Sequence, residues 1–139
     1  MSVPSGNYMI ESADSKGKFL TVENMNISLH SEDSHSVQVW KLAVSGGNWV
    51  KFQGVPPDAK KGKFICADIP TYTLVYSDDS ALQDFQLEND ANDTYRAALR
   101  VTFEYYEQGL YWQIVNEKSL SLTNNLTYAA RWKLTQCSK

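Results

Sequence analysis

Three glycines in this 139-residue chain are each followed 23 positions later by a large aromatic, and each aromatic is followed two positions on by leucine: Gly17 by Trp40 and Leu42, Gly62 by Phe85 and Leu87, Gly109 by Trp132 and Leu134. Two residues after each glycine stands another aromatic, Phe19, Phe64 and Tyr111. The glycines lie 45 and 47 positions apart, so the chain reads as three copies of one unit. A unit of that length cannot close a core alone, so the fold has to bury equivalent side chains from all three copies against one another.

Within each copy, short runs of β-branched and aromatic residues alternate with Gly, Pro, Asn, Asp and Ser, the pattern of strands joined by tight turns. The first copy predicts strands over Asn7 to Glu11, Lys18 to Val22, Ile27 to His30 and Gln38 to Ala43. The second predicts Asn48 to Gln53, Lys63 to Ala67, Tyr72 to Tyr76 and Asp84 to Glu88, and the third Leu99 to Tyr105, Leu110 to Val115, Ser119 to Thr123 and Arg131 to Gln136. No helical period is sustained for ten residues; Tyr95 to Arg100, with Ala97-Ala98-Leu99, has room for one turn at most. Twelve strands in three groups of four fit an all-β fold, a β-trefoil: a six-stranded barrel capped by three hairpins. One domain is expected over 1–139, with repeats of about 6–45, 46–94 and 95–139. Trp40, Phe85 and Trp132 are expected to converge on the pseudo-threefold axis, with Leu42, Leu87 and Leu134 in one layer. Leu120 and Leu122 fall one register later than Leu29 and Leu74, which predicts an extra residue in the third hairpin and a compensating deletion before Trp132.

A net charge of −3 gives no basic field to hold a phosphate backbone, so no nucleic-acid partner is expected. No run approaches the roughly 18 apolar residues of a membrane span, so no membrane partner is expected. The first residues, Met1 to Asn7, lack the charged and apolar regions of a secretory signal, which predicts a cytoplasmic protein. A chain of this size with its own core needs no disulfide, so Cys66 and Cys137 are expected as thiols.

The opening Ser5-Gly6-Asn7-Tyr8-Met9-Ile10 and the triplets Gln38-Val39-Trp40, Gln83-Asp84-Phe85 and Ala130-Arg131-Trp132 resemble the small fungal β-trefoil proteins that lack a signal peptide. These comprise protease inhibitors of the mycocypin and serine-inhibitor type and ricin-B-type lectins with a Gln-x-Trp signature. The resemblance spans the whole chain as architecture and leaves both activities open. It implies a monomer, with defence as its role.

The inhibitor branch implies rigidly held exposed loops that occupy a protease active-site cleft, the target being of the serine or cysteine class. Glu23-Asn24-Met25-Asn26 sets an apolar Met25 between Asn24 and Asn26 on a hairpin tip, and it is the first choice for the protease-contact loop. Gly54 to Gly62 carries Pro56-Pro57, which stiffen it and remove two backbone donors, and then Lys60-Lys61, which suit an acidic specificity pocket. Asn124-Asn125, between the last two strands, suits an asparagine-specific protease.

The lectin branch implies an Asp soon after each repeat glycine, an aromatic platform, and an Asn or Gln near Gln-x-Trp. The first copy has Thr21 where the Asp is expected. The second offers Asp68 with Tyr76 as platform, and the third has no acid before Glu117. A sugar site unlike ricin's is expected in the cluster of Tyr105, Tyr106, Tyr111 and Trp112. Gln38 and Gln83 are expected to bond backbone inside the core.

His30-Ser31-Glu32-Asp33-Ser34-His35 brings two imidazoles and two carboxylates together, but their spacing fits neither a strand nor a helix face and reads as a polar loop. Neither a Gly-x-Ser-x-Gly elbow nor a glycine-rich phosphate loop occurs. No enzyme, cofactor or metal is expected. Protease inhibition is the leading expectation, and glycan binding is the alternative.

Overall fold

A computed structural model describes residues 3–78, 82–90, 93–103 and 106–137, with backbone only for 101–103 and 106–108. Twelve strands form among them: β1 Gly6–Ser12, β2 Phe19–Glu23, β3 Asn26–His30, β4 Val39–Ser45, β5 Trp49–Gly54, β6 Phe64–Asp68, β7 Thr73–Ser77, β8 Phe85–Asn89, β9 Thr94–Phe103, β10 Tyr106–Val115, β11 Ser119–Thr123 and β12 Trp132–Gln136. Alternation sets the buried face of each strand. In β1 the chain turns Tyr8, Ile10 and Ser12 inward, and in β5 it turns Val50, Phe52 and Gly54 inward.

Six strands close a ring. β1 pairs with β4, β4 with β5, β5 with β8, β8 with β9, β9 with β12, and β12 with β1, all antiparallel. Closure leaves the ring without an unpaired edge. The remaining strands form the hairpins β2–β3, β6–β7 and β10–β11, which meet at one end of the barrel by pairing Asn26 with Val75, Thr73 with Ser121 and Ser119 with Ser28. In each pairing the first residue of one third strand faces the middle residue of the next. Three backbone bonds repeat this symmetry: Tyr76 N donates to Met25 O at 2.8 Å, Leu122 N to Tyr72 O at 2.9 Å and Leu29 N to Lys118 O at 2.9 Å. The fold is a β-trefoil.

The constant spacing from glycine to aromatic conceals unequal hairpins. Phe19 faces His30, Phe64 faces Ser77 and Tyr111 faces Thr123, spans of 11, 13 and 12 positions. The stretches from His30 to Trp40, Ser77 to Phe85 and Thr123 to Trp132 then shrink to 10, 8 and 9. The third hairpin does carry one residue more than the first, with the deletion before Trp132, but the second carries two more. Leu74 is therefore the counterpart of Ile27 and Leu120. The counterpart of Leu29 and Leu122 is Tyr76, which corrects the expected alignment of Leu29 with Leu74.

Trp112 packs against Phe52 and Phe85, each at 5.0 Å between ring centroids, and against Trp132 at 6.2 Å. Trp40 instead meets Tyr76 edge-on at 5.9 Å. The three repeat aromatics are thus buried, but Phe85 and Trp132 meet through Trp112. Leu42 and Leu87 are buried, while Leu134 is only half-buried. The ninth strand starts at Thr94 instead of Leu99, and Ala97, Ala98 and Leu99 lie buried within it, so the possible helical turn is strand. Its expected end, Tyr105, lies outside the described residues. Cys66 belongs to a hairpin strand, not the barrel, and its Sγ lies 3.5 Å from Phe64 O.

Candidate functional site

The connection from β5 to β6 is a loop on a clamped neck. Pro56 and Pro57 fix two φ angles, and Ala59 N closes a turn onto Pro56 O at 3.2 Å, with Ala59 in the left-handed region at φ 64°. Asp58 Oδ1 then accepts from Lys60 N at 3.1 Å, leaving the Lys60 side chain 82% exposed and Lys61 exposed beside it. From Ala59 to Lys63 the backbone belongs to no strand or helix.

Below the turn, Gly54 N donates to Lys63 O at 2.8 Å, Gln53 Nε2 to Gly62 O at 2.9 Å and Val55 N to Val39 O at 2.8 Å. Lys63 N donates to the Tyr76 hydroxyl at 3.0 Å. Gly62 presses on Gly54 so closely that a Cβ there would collide with the Gly54 carbonyl. The repeat glycine of the second copy is therefore also the hinge pin of this neck. Burial pushes the Tyr76 phenol above its ordinary pKa, against the opposing bond from Lys63 N.

The tip between β2 and β3 is built differently. Only Asn24 and Met25 separate the paired Glu23 and Asn26, and both are left-handed, at φ 53° and 66°, the two-residue turn whose twist matches the flanking strands. Met25 is 53% exposed at this tip, and its carbonyl is committed to Tyr76 N. Its sulfur lies 4.0 Å from Lys63 Nζ. Tyr76 thus ties the two loops into one face, by its backbone to the Met25 tip and by its hydroxyl to the lysine loop.

The other expected site residues are dispersed. Asn125 Oδ1 accepts from Thr127 N at 3.0 Å and caps a 3-10 turn over Leu126–Tyr128, which the sequence did not suggest; Asn124 is exposed beside it. Two sugar platforms are corrected. Tyr76 is only 7% exposed because the longer second hairpin brings it into the Leu29 position, and Trp112 is a core residue. Asp68, at the end of β6, accepts from Thr71 Oγ1 at 2.9 Å. Tyr111 is half-buried under the Arg100 guanidinium, 5.9 Å from its ring centroid. The side chain of Tyr106 lies outside the described residues.

Gln38 is buried with its amide engaged at both ends, donating to Thr21 Oγ1 at 3.0 Å and Ser31 O at 2.8 Å and accepting from Asp33 N at 2.8 Å. Asp33 accepts from His35 N at 2.8 Å and Ser36 Oγ at 3.0 Å, and these bonds, the backbone one first, lower its pKa. His30 Nε2 reaches Glu23 Oε1 at 3.0 Å. The polar stretch is a loop folded around Asp33 and Gln38, with the His30 imidazole on Glu23 and His35 held through its backbone N–H.

No protein-family model matches this sequence, and no curated protein matches it. Solved structures are similar in fold. The designed threefold-symmetric protein ThreeFoil superposes with a TM-score of 0.73 at 18% identity, covering 95% of this chain and 99% of that one. The Polyporus squamosus lectin, solved bound to the human-type influenza-binding epitope Neu5Aca2-6Galb1-4GlcNAc, gives 0.73 at 16% identity over 96% of this chain and 50% of its own. The exo-β-1,3-galactanase 1,3Gal43A from Clostridium thermocellum gives 0.70 at 16% over 99% of this chain and 31% of its own. At these identities the likeness is one of fold.

Proposed function

We propose that this chain is a protease inhibitor that presents the 54–63 loop to a trypsin-like serine protease. The observation that carries this reading is a highly exposed lysine on a loop whose neck is clamped by backbone bonds and by a buried tyrosine. A segment already held in its bound shape loses little conformational freedom on docking, so more of the contact energy appears as affinity. Lys60 or Lys61 would enter the acidic specificity pocket, and Met25, adjoining through Lys63, would touch the rim. The primary contact moves here from Met25 because the tip carbonyl is already bonded within the cap.

Titration against trypsin, chymotrypsin, papain and legumain tests this. Trypsin should be inhibited, and one of Lys60→Ala and Lys61→Ala should weaken inhibition about thirtyfold or more, as expected for a central anchor. Absence of trypsin inhibition ends the reading. Glycan binding is a second reading, favoured by the fold shared with a lectin solved with a glycan.

A further inference from the structure

We infer that the pseudo-threefold axis, at the hairpin end of the barrel, carries a binding site for a neutral polyhydroxylated ligand of monosaccharide size. Where the three hairpins meet they leave a depression of about 330 Å³, within the size range of ligand sites, roughly 300–1,000 Å³. Its floor is apolar: Ile27, Leu74 and Leu120, the equivalent buried residues of the three third strands. Above them stands a polar ring, Asn26, Thr73 and Ser119, the first residues of those strands, with Asn24 and Glu23 alongside.

The polar ring has unused hydrogen-bonding capacity. Among the described residues, the side chains of Asn24, Asn26 and Ser119 make no hydrogen bond. Glu23 directs one oxygen, Oε1, to His30 at 3.0 Å, Ser28 at 3.2 Å and Lys118 at 3.6 Å, and its Oε2 makes no hydrogen bond among the described residues. The bond with His30, with Lys118 nearby, holds this carboxyl below its ordinary pKa, against some desolvation. Two amides, a hydroxyl and a carboxylate oxygen around an apolar floor match a molecule with hydroxyls at its edge and C–H groups on its face.

An apolar ligand would strip water from the rim without replacing its hydrogen bonds, and an anion would meet Glu23. None of Asp68, Tyr76 or Trp112 lines the depression. No residue of the 54–63 loop lines the depression, which gives the glycan reading a location apart from the lysines.

The test is amide chemical-shift mapping of the full chain with methyl α-galactoside, methyl α-mannoside and N-acetylglucosamine, with glycerol as the linear control. Saturable shifts are expected at Asn24, Asn26 and Ser119 with at least one pyranose and not with glycerol. Ser119→Trp, which fills the depression from an exposed position, should abolish them, and Asn26→Ala should weaken binding about tenfold by removing an amide partner. Trypsin inhibition should be unchanged in Ser119→Trp. Absence of shifts with all three sugars, or shifts that survive both substitutions, overturns the axial site. A glycan array run alongside separates the two ideas. Array binding that Ser119→Trp leaves intact removes the site and keeps the glycan reading, whereas a blank array with no shifts removes both.

Discussion

The Met25 tip and the Lys60-Lys61 loop look alike in sequence, each a short polar segment between strands, yet they sit on the barrel in opposite ways. The tip is part of the cap's hydrogen-bonded triangle, and its two counterparts, Tyr72 and Lys118, make the same backbone bond. The lysine loop has no counterpart in that triangle. It leaves the barrel through the Gly54–Gly62 contact and is steadied from beneath by a hydroxyl. Symmetry explains the first loop and part of the second, since Ser12 N to Lys18 O and Ala13 N to Arg131 O in the first copy repeat the neck bonds Gly54 N to Lys63 O and Val55 N to Val39 O. What the second copy adds is the Gly54–Gly62 contact and the Tyr76 hydroxyl, and there a function particular to this chain is best sought.

The largest expected effect is at the neck. Gly62→Ala forces a methyl against the Gly54 carbonyl and should destabilise by about 2–3 kcal/mol, the range for overpacking a tight site. Gly17→Ala, at the equivalent repeat position, meets open space and bears only its left-handed φ of 82°, at about 1 kcal/mol. Equal losses in thermal unfolding would erase the distinction between the neck and its symmetric counterpart.

Tyr76→Phe should cost about 1 kcal/mol by removing the acceptor of Lys63 N, and should speed trypsin cleavage after Lys60 or Lys61. The Met25 tip should be unaffected, since the backbone bond from Tyr76 remains; an unchanged cleavage rate would show that the hydroxyl does not steady the loop. The same phenol sets a pH dependence. Its raised pKa means that the folded chain holds the proton more tightly than the unfolded chain, so its contribution is full below pH 10 and is lost as pH rises through the folded-state value. The stability gap between wild type and Tyr76→Phe should therefore narrow above pH 10. The smallest effect is Met25→Asp, expected within about 0.5 kcal/mol of wild type and with trypsin inhibition retained, because Met25 is half-exposed and aspartate tolerates a left-handed backbone.

The sequence made the symmetric plan legible because compensating length changes kept each aromatic in step with its glycine. The same compensation hid Tyr76. Counting from Gly62 placed Leu74 beside Leu29, and only the strand register shows the second hairpin to be two residues longer, turning the supposed sugar platform into a core residue. Trp112 was misjudged for a related reason. It occupies the buried position of Leu20 and Ile65, while its size and neighbouring tyrosines in sequence point toward a sugar site. The lysine loop was visible from its prolines, but its clamp was not, because it depends on contacts from Val39 and Tyr76, which are distant in sequence. The axial depression gave no sequence signal, since its lining comes a few residues at a time from three repeats.

The most direct test incubates the intact chain with active trypsin and follows residual protease activity and intact mass together. The account predicts that activity is lost at about one equivalent of the chain while its mass stays unchanged, because a clamped loop docks without being released after attack. Full trypsin activity with rapid cleavage after Lys60 or Lys61 would show an ordinary substrate loop and contradict it.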